Sequence, residues 1–460
     1  VSYRDFIAAK SRDLMPSGID VAPSESLPMF EHQRALTAWA LKRGRCAIFA
    51  DTGLGKTRME LAWADTLHRS AGVDVLILTP LAVAKQMQAE GASIGVPVTI
   101  MREAGDAAPG INVINYDRLH KIDPTQFGAV VLDESSVIKH HTTRTLATLL
   151  EAFANTPYRL CATATPAPND WTELGTHAEF LGVCTRVEML SEFFVHDGAE
   201  TQVWRLKRHA QNEFWRWVSQ WGAMVRKPSD LGFDDGAYSL QPLHVREHFV
   251  ESDASDGALF ALEAASLSER RDARRSSIES RVARCIAAVN ADRRPWVVWC
   301  DLNAESELLT RGIDGAVEVR GSMDPDQKET ALDRFASGQA RVIVTKPSIA
   351  GWGLNWQHCD RMAFVGVTDS WESYYQAVRR CWRFGQKSEV QVHIYASERE
   401  GSVIANLRRK ESDALAMAEA LSAHTNAAVR ESVLGATARQ RNTYHPRARI
   451  VAPDWLRSAA

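Results

Sequence analysis

The residues with the clearest chemical purpose are a lysine and a threonine placed behind two glycines. The apolar run Cys46 to Ala50 leads into Asp51-Thr52-Gly53-Leu54-Gly55-Lys56-Thr57, and a helical pattern follows over 57–68. Glycine at 53 and 55 lets backbone amides approach phosphate oxygens with no Cβ in the way. The start of a helix adds N–H groups that lack partners and the positive end of its dipole. In such a loop Lys56 reaches β- and γ-phosphates, and Thr57 sets its hydroxyl on Mg2+. The strand–loop–helix order is that of a P-loop, with Ala50 where the strict pattern has glycine. The expected nucleotide-binding set is therefore Thr52, Gly53, Gly55, Lys56 and Thr57; the alternative is a Gly-rich turn before a helix.

A second chemical element lies downstream. Ala129 to Leu132 are buried-strand material, and Asp133-Glu134 follow directly. Asp133 holds Mg2+ through water in this reading, and Glu134 orients and deprotonates the attacking water. An acidic pair after an apolar run is, by itself, usually a solvated strand end. Its place downstream of a P-loop is what makes it half of an ATPase site, so ATP and Mg2+ are the implied cofactors.

These side chains need a scaffold, and the rest of the chain supplies its pattern. Strand-like runs at 46–50, 75–80, 111–116, 129–134 and 158–166 alternate with helical segments. The grammar repeats at 296–301, 317–321, 341–347, 361–367 and 390–396. Continuous apolar strands separated by helices predict parallel sheets covered on both faces, hence two similar α/β halves. The expected division is an arm (1–28), a first lobe (29–182), a Trp-rich accessory segment and linker (183–245), a second lobe (246–400) and a helical, then basic, tail (401–460).

Composition narrows the function classes. With 460 residues, 45% apolar and 24% charged, the chain excludes a disordered or collagen-like protein. No apolar run approaches the ~18–20 residues of a membrane span, so no membrane partner is expected. A net charge of −3 excludes a uniformly basic nucleic-acid coat and leaves room for a local basic groove. Seven scattered cysteines without a CxxC pair read as reduced thiols, and the first residues lack a signal-peptide core; both point to a cytoplasmic protein. Tryptophans 204, 215, 217 and 221 are interleaved with cations: either an accessory DNA contact or an amphipathic helix packed on the first lobe. The Arg-rich stretch 266–294 is either a groove-lining helix or a solvated face, and DNA contact by the basic tail 426–460 is a further expectation.

The order of these segments resembles a known family. FEHQRALTAWALKRGRCAIFADTGLGKT, VLILTPLAVAKQMQAE, VINYDRL, VVLDESSVIKH and YRLCATATPAPND are similar to the amino-terminal motifs of superfamily-two helicases. VRGSMDPDQKETALDRFASGQARVIVTKPSIAGWGLNW and SYYQAVRRCWRFGQK resemble the carboxy-terminal motifs. The R-x-G-Q ending looks like the Swi/Snf-type branch of DNA translocases, in a size similar to compact phage and prophage versions. The resemblance spans roughly 28–410 and implies two RecA-like lobes with ATP in the cleft between them.

It also implies roles. Gln33 corresponds to the glutamine that reads adenine, although an exposed helix position is an equal reading of the sequence. Thr163 and Thr165 correspond to the motif coupling hydrolysis to nucleic-acid binding. Arg380 and Arg383 correspond to arginine fingers reaching across the cleft. Pro80-Leu81, Asn115-Tyr116, Thr345 and the run from Gly351 to Asn355, which includes Gly353, fall near the nucleic-acid backbone. Trp352 and Trp356 either stack on a base or pack internally, and Arg226-Lys227 resemble a basic pair of the inter-lobe linker. Three positions depart from the family: Ser136 in the acidic motif, Lys328 for an arginine, and Arg379 for a common acid. The implied activity is an ATP-dependent DNA helicase or translocase. It would act as a monomer on DNA, duplex before single-stranded, beside phage or prophage DNA-processing proteins. The alternatives are an RNA helicase and a nucleotide-gated DNA-binding partner factor with little motor activity.

Overall fold

A computed structural model of the chain describes residues 14–80, 83–196, 204–236, 238–250, 274–350, 355–368 and 370–433. The first lobe is built on strands β1 (Arg45–Ala50), β2 (Val75–Thr79), β3 (Val98–Ile100), β4 (Ile111–Asn115), β5 (Ala129–Asp133), β6 (Tyr158–Ala162) and β9 (Gly222–Val225), with a separate hairpin of β7 (Phe194–His196) and β8 (Trp204–Leu206). They line up as β3-β4-β2-β5-β6-β1-β9, every pair parallel. Side chains alternate between two cores: Phe49, Leu76, Leu78 and Leu132 enter one, and Ile48, Ile77 and Val131 the other. Both faces are buried, which is why VLILT and AVVLD read as unbroken apolar runs. Helices α1 (Glu31–Arg43) and α2 (Lys56–Ala71) pack on the second of these cores.

The edge strand β9 corrects the expected domain layout. It pairs with β1, so the chain assigned to the accessory segment and linker (183–245) contributes a strand to the first sheet. Helix α3 (Gln211–Ser219) explains the tryptophans: Trp215 and Trp221 are buried, and the Trp221 ring meets Phe49 edge-on at 6.2 Å. For these two the amphipathic-packing reading holds, not the DNA-contact one.

The second lobe holds six parallel strands in the order β10-β15-β14-β11-β13-β12: β10 (Leu243–Val250), β11 (Trp296–Cys300), β12 (Ala316–Val319), β13 (Val342–Thr345), β14 (Arg361–Val365) and β15 (Val390–Ser397). Helix α4 (Ile278–Ala291) carries the described part of the Arg-rich stretch. Its Arg281 is fully buried with Nη2 2.9 Å from Glu305, while the preceding Arg274 pairs with Asp301 at 2.6 Å and Glu400 at 3.0 Å. Arg274 and Arg281 thus belong to an ion-pair network within the lobe, while Arg275, Arg284, Arg293 and Arg294 are exposed, as a solvated face would have them. Residues 266–273 lie outside the described residues. Trp356 is buried against Trp299 and Phe335, so it packs internally; Trp352 lies outside the described residues.

Helix α5 (Trp371–Val378) faces the first lobe, and α6 (Gly401–Val433) leaves the second lobe to pack on α3 and β9. Arg226 Nη1 lies 3.5 Å from Glu419 on α6, and Lys227 Nζ lies 3.6 Å from Asp235. The linker cations are thus engaged by the protein's own carboxylates. The basic tail from 434 onward lies outside the described residues.

Candidate active site

The loop after β1 adopts the cradle its glycines permit. Gly53 and Gly55 have φ of +94° and +83°, a region side chains rarely enter, and Lys56 opens α2. Lys56 Nζ donates to the Ala50 carbonyl at 3.0 Å, so the ammonium sits within the loop. Gln33 is 2% exposed and lies beneath it: Nε2 donates to Leu54 O at 2.9 Å, and Oε1 accepts from Phe30 N at 3.1 Å. Gln33 is therefore not an exposed helix position. Nε2 also donates to the Tyr238 hydroxyl at 3.4 Å. Tyr238 joins Phe30, His32 and Phe384 in an aromatic group with centroid separations of 5.4, 4.9 and 5.1 Å.

At the end of β5, Asp133 is buried and its Oδ2 accepts from the Thr79 hydroxyl at 2.8 Å. Burial pushes its pKa up to about 6, and the Glu134 charge pushes the same way; Thr79 and Lys56 oppose them. Glu134 has φ 51°, the one non-glycine in the left-handed region among the described residues. Such a conformation costs roughly 1–2 kcal/mol and persists only where the surroundings hold it. The Tyr116 hydroxyl donates to the Asp133 carbonyl at 2.8 Å, so this side chain points to the acidic pair and not to a backbone track. Glu60, on α2, is 1% exposed with neither carboxyl oxygen hydrogen-bonded. Its pKa is raised by burial first and by the nearby Asp133 charge second.

Mg2+ on a nucleotide keeps several waters and takes one or two carboxylates together with phosphate oxygens. Asp133, the Thr57 hydroxyl and the orphaned Glu60 carboxyl, close enough to Asp133 and Lys56 to feel both charges, fit that need. Among the described residues no three His, Cys, Asp or Glu side chains form a cage for a metal on their own. Phosphate would supply the remaining ligands.

The second lobe closes over this site. Arg380 is 4% exposed; burial lowers its pKa to about 10, and Glu134 is the leading charge that opposes the fall. Arg380 therefore lies near enough to Glu134 for that charge to act on it. Arg383 is likewise lowered to about 10 by burial, with the Arg379 charge adding. Thr163 donates its hydroxyl to Glu134 Oε2 at 3.4 Å, and Thr165 donates to Glu372 Oε1 at 3.3 Å. Lys139 pairs with the same Glu372 carboxylate. The coupling threonines thus touch Glu134 and Glu372. Ser136, the family departure, is buried with its hydroxyl unpartnered among the described residues, while neighbouring Ser135 sits 3.1 Å from His177 Nε2.

The expected nucleic-acid contacts are less well assembled. Thr345 is fully buried and donates its hydroxyl to Val319 O at 3.1 Å, so it presents no group to a backbone; this corrects the expectation for that side chain. Asn355 is exposed, with Oδ1 accepting from Gln357 N at 3.3 Å. Asn115 caps the turn that follows it. Gly353 and Leu81 lie outside the described residues. The sequence reading passed over Glu60, Tyr238, Glu372 and Tyr375. For the last two a signal existed, because Glu372, Tyr375 and Arg379 are spaced three and four apart, one stripe of a helix. Tyr238 had none, since it sits in irregular chain between the lobes.

No helix among the described residues is long and apolar enough to cross a membrane. No curated protein matches the chain. Among solved structures it is similar to the Sulfolobus solfataricus SWI2/SNF2 ATPase core in complex with dsDNA, at 16% identity and a TM-score of 0.41, over 82% of this chain and 88% of that one. Family models match in two segments, the SNF2-related domain over residues 32–216 and the helicase conserved C-terminal domain over residues 281–385. With both domains in this order, the chain is similar to Swi/Snf-like proteins of helicase superfamily two.

Proposed function

We propose that the chain is an ATP-dependent DNA translocase whose hydrolysis site forms when the lobes close. One observation carries the reading: the stretch of the second lobe that bears Arg380 docks on the first lobe beside the acidic pair, with Glu372 held by Lys139 and Thr165. MgATP, when bound, supplies the γ-phosphoryl group and the metal that polarises it. Gln33 and the Tyr238 group border the base, and the amides of the Gly53–Gly55 loop with Lys56 hold phosphate oxygens. Thr57, and Asp133 through water, hold the Mg2+. Glu134 accepts the proton of the attacking water, and Arg380 and Arg383 neutralise charge that develops on the transferred group. Thr163 and Thr165 bridge Glu134 to Glu372, so the state of the site is communicated to the helix that leads into the fingers.

The Swi/Snf-like character and the R-x-G-Q ending favour duplex DNA as the track. The test is the ATPase rate without nucleic acid and with duplex DNA, single-stranded DNA or RNA, across a salt series. Duplex DNA gives the largest stimulation, and it falls steeply with salt because phosphate contacts carry the grip. Stimulation by RNA alone moves the chain to the RNA-helicase reading. Nucleotide-dependent DNA binding with no turnover moves it to the partner-factor reading. Displacement of a triplex strand while a forked duplex stays paired identifies a translocase that does not separate strands.

A further inference from the structure

Beside the residues assigned to hydrolysis lies a contact that none of them explains. Asp51, the first residue of the P-loop after β1, is gripped from the opposite lobe. Arg379 Nη2 lies 3.0 Å from its Oδ2 and donates to the Thr52 carbonyl at 2.7 Å, and the Tyr375 hydroxyl donates to its Oδ1. Arg379 is 1% exposed and its guanidinium lies over the rings of Tyr375, Trp382 and Phe384 at 5.7, 5.1 and 5.7 Å. Phe384 completes the grip: a Cβ on Gly53 would fall 2.9 Å from its ring. Two residues on one helical face and one just beyond it thus close on three consecutive loop positions.

We infer that Arg379, with Tyr375, is a positioning residue: its clasp on Asp51 fixes the register of the two lobes and so places Arg380 and Arg383 at the phosphate site. The inference rests on the proposed ATPase reading for what the fingers do, but not for the clasp itself. Arg379 touches no reacting group. It adjoins Arg380 in the chain, so a guanidinium anchored to the P-loop backbone fixes the next residue's position to within the play of one peptide unit. Nη2 alone carries two N–H groups, so it serves the carboxylate and the carbonyl together while the guanidinium face stays over the rings. The aromatic rings belong to the arginine's own lobe, or to the loop just after it. The cation therefore keeps its cation–π partners when the lobes part, while Asp51 loses its buried partners. The clasp is also charge-specific: an acid at 379 would repel Asp51.

The experiment uses the full chain and a double-mutant cycle of Arg379→Gln, Asp51→Asn and the pair. Each single variant lowers DNA-stimulated kcat about tenfold to a hundredfold, the range for losing a charge-assisted hydrogen bond in a closed site. In Arg379→Gln, binding of a fluorescent ATP analogue stays within about threefold, since Lys56 and the Thr52 N–H that donates to Asp51 are untouched. The double variant is no worse than the weaker single. Losses that instead multiply in the double variant overturn the clasp, as do singles with unchanged kcat. A second readout needs no catalysis: dyes placed on exposed positions of the two lobes report a longer mean separation in Arg379→Gln than in the parent chain without nucleotide. An unchanged separation refutes the clasp even if the chain proves inactive as an ATPase. Inactivity of the parent chain with a lengthened separation in the variant refutes the functional reading alone.

Discussion

Replacing Gly55 with alanine isolates what the backbone contributes to nucleotide binding. The position has φ +83°, and an added Cβ would lie 2.3 Å from Gln33 Nε2. Holding alanine in that region costs about 1–2 kcal/mol. Relief of the clash requires Gln33 to move, and that side chain is tied to Leu54 O and Phe30 N. Losing both bonds costs about 1–3 kcal/mol more at the usual net value for each. The sum, about 2–5 kcal/mol, is drawn from the ATP-competent loop, so affinity falls at least about thirtyfold by the rule of tenfold per 1.4 kcal/mol. The assay is equilibrium titration with a fluorescent ATP analogue, paired with an unfolding curve to show that the fold survives. Gln33→Ala in the same background removes the clash but also both of these bonds, so affinity is not recovered. Binding within twofold of the parent in Gly55→Ala would refute the argument, because neither the cradle nor the glutamine beneath it would then matter.

Three other outcomes follow from the same geometry. Glu134→Gln binds ATP and stalls turnover, read by single-turnover hydrolysis beside analogue binding; a wild-type rate would remove Glu134 from its role. Arg383→Ala lowers turnover by a factor on the order of 10³, as loss of an arginine finger does, with analogue binding little changed; intact DNA-stimulated hydrolysis would place Arg383 outside the site. Arg281→Ala destabilises the second lobe by about 3–5 kcal/mol in denaturant unfolding, because Glu305 is left buried with only the amides of Asp301 and Leu302 as partners. Burial already raises the Glu305 pKa, so the folded state binds the extra proton and stability falls as pH rises. The Arg281→Ala deficit therefore shrinks toward acidic pH, and a deficit that grows instead would contradict the assignment.

The legible parts of this chain are those whose chemistry is local. Glycines, lysine and threonine at fixed spacing after an apolar strand announce a loop whose amides do the binding, and the loop stands where the pattern puts it. The acidic pair is local in the same way. Strand alternation between two cores also follows from periodicity, since β2 and β5 are buried on both sides. What stayed illegible depends on partners far apart in the chain. β9 pairs with β1 across most of the first lobe, and its GAMV sequence offers too few residues to read as a strand. Arg274 and Arg281 looked like part of a charged face because their acidic partners, Asp301, Glu305 and Glu400, lie in other segments. Thr345 matched a motif position, but which way a strand-end hydroxyl points is set by the neighbouring strand, here through Val319 O.

The same distinction explains how the site is divided between the lobes. On the proposed reading, the groups that bind phosphate and metal all lie in the first lobe, and they are fixed by short-range structure. The groups that would make hydrolysis fast sit on the second lobe and reach the site only through closure. Closure is recorded at separate points along one stretch of chain: Glu372 with Lys139 and Thr165, then Tyr375 and Arg379 with Asp51, then Phe384 over Gly53. These points report on the coupling threonines and on the P-loop, the two parts of the first lobe that adjoin Glu134. Helix α6 returns from the second lobe to α3 and β9 and so limits how far the lobes can part. On the proposed reading, such an enzyme binds nucleotide in an open form and reacts only when the 371–384 stretch finds both parts together. The tryptophans that resembled a DNA-binding element belong to this design as well. By packing α3 beneath β1, Trp215 and Trp221 build part of the surface on which α6 rests.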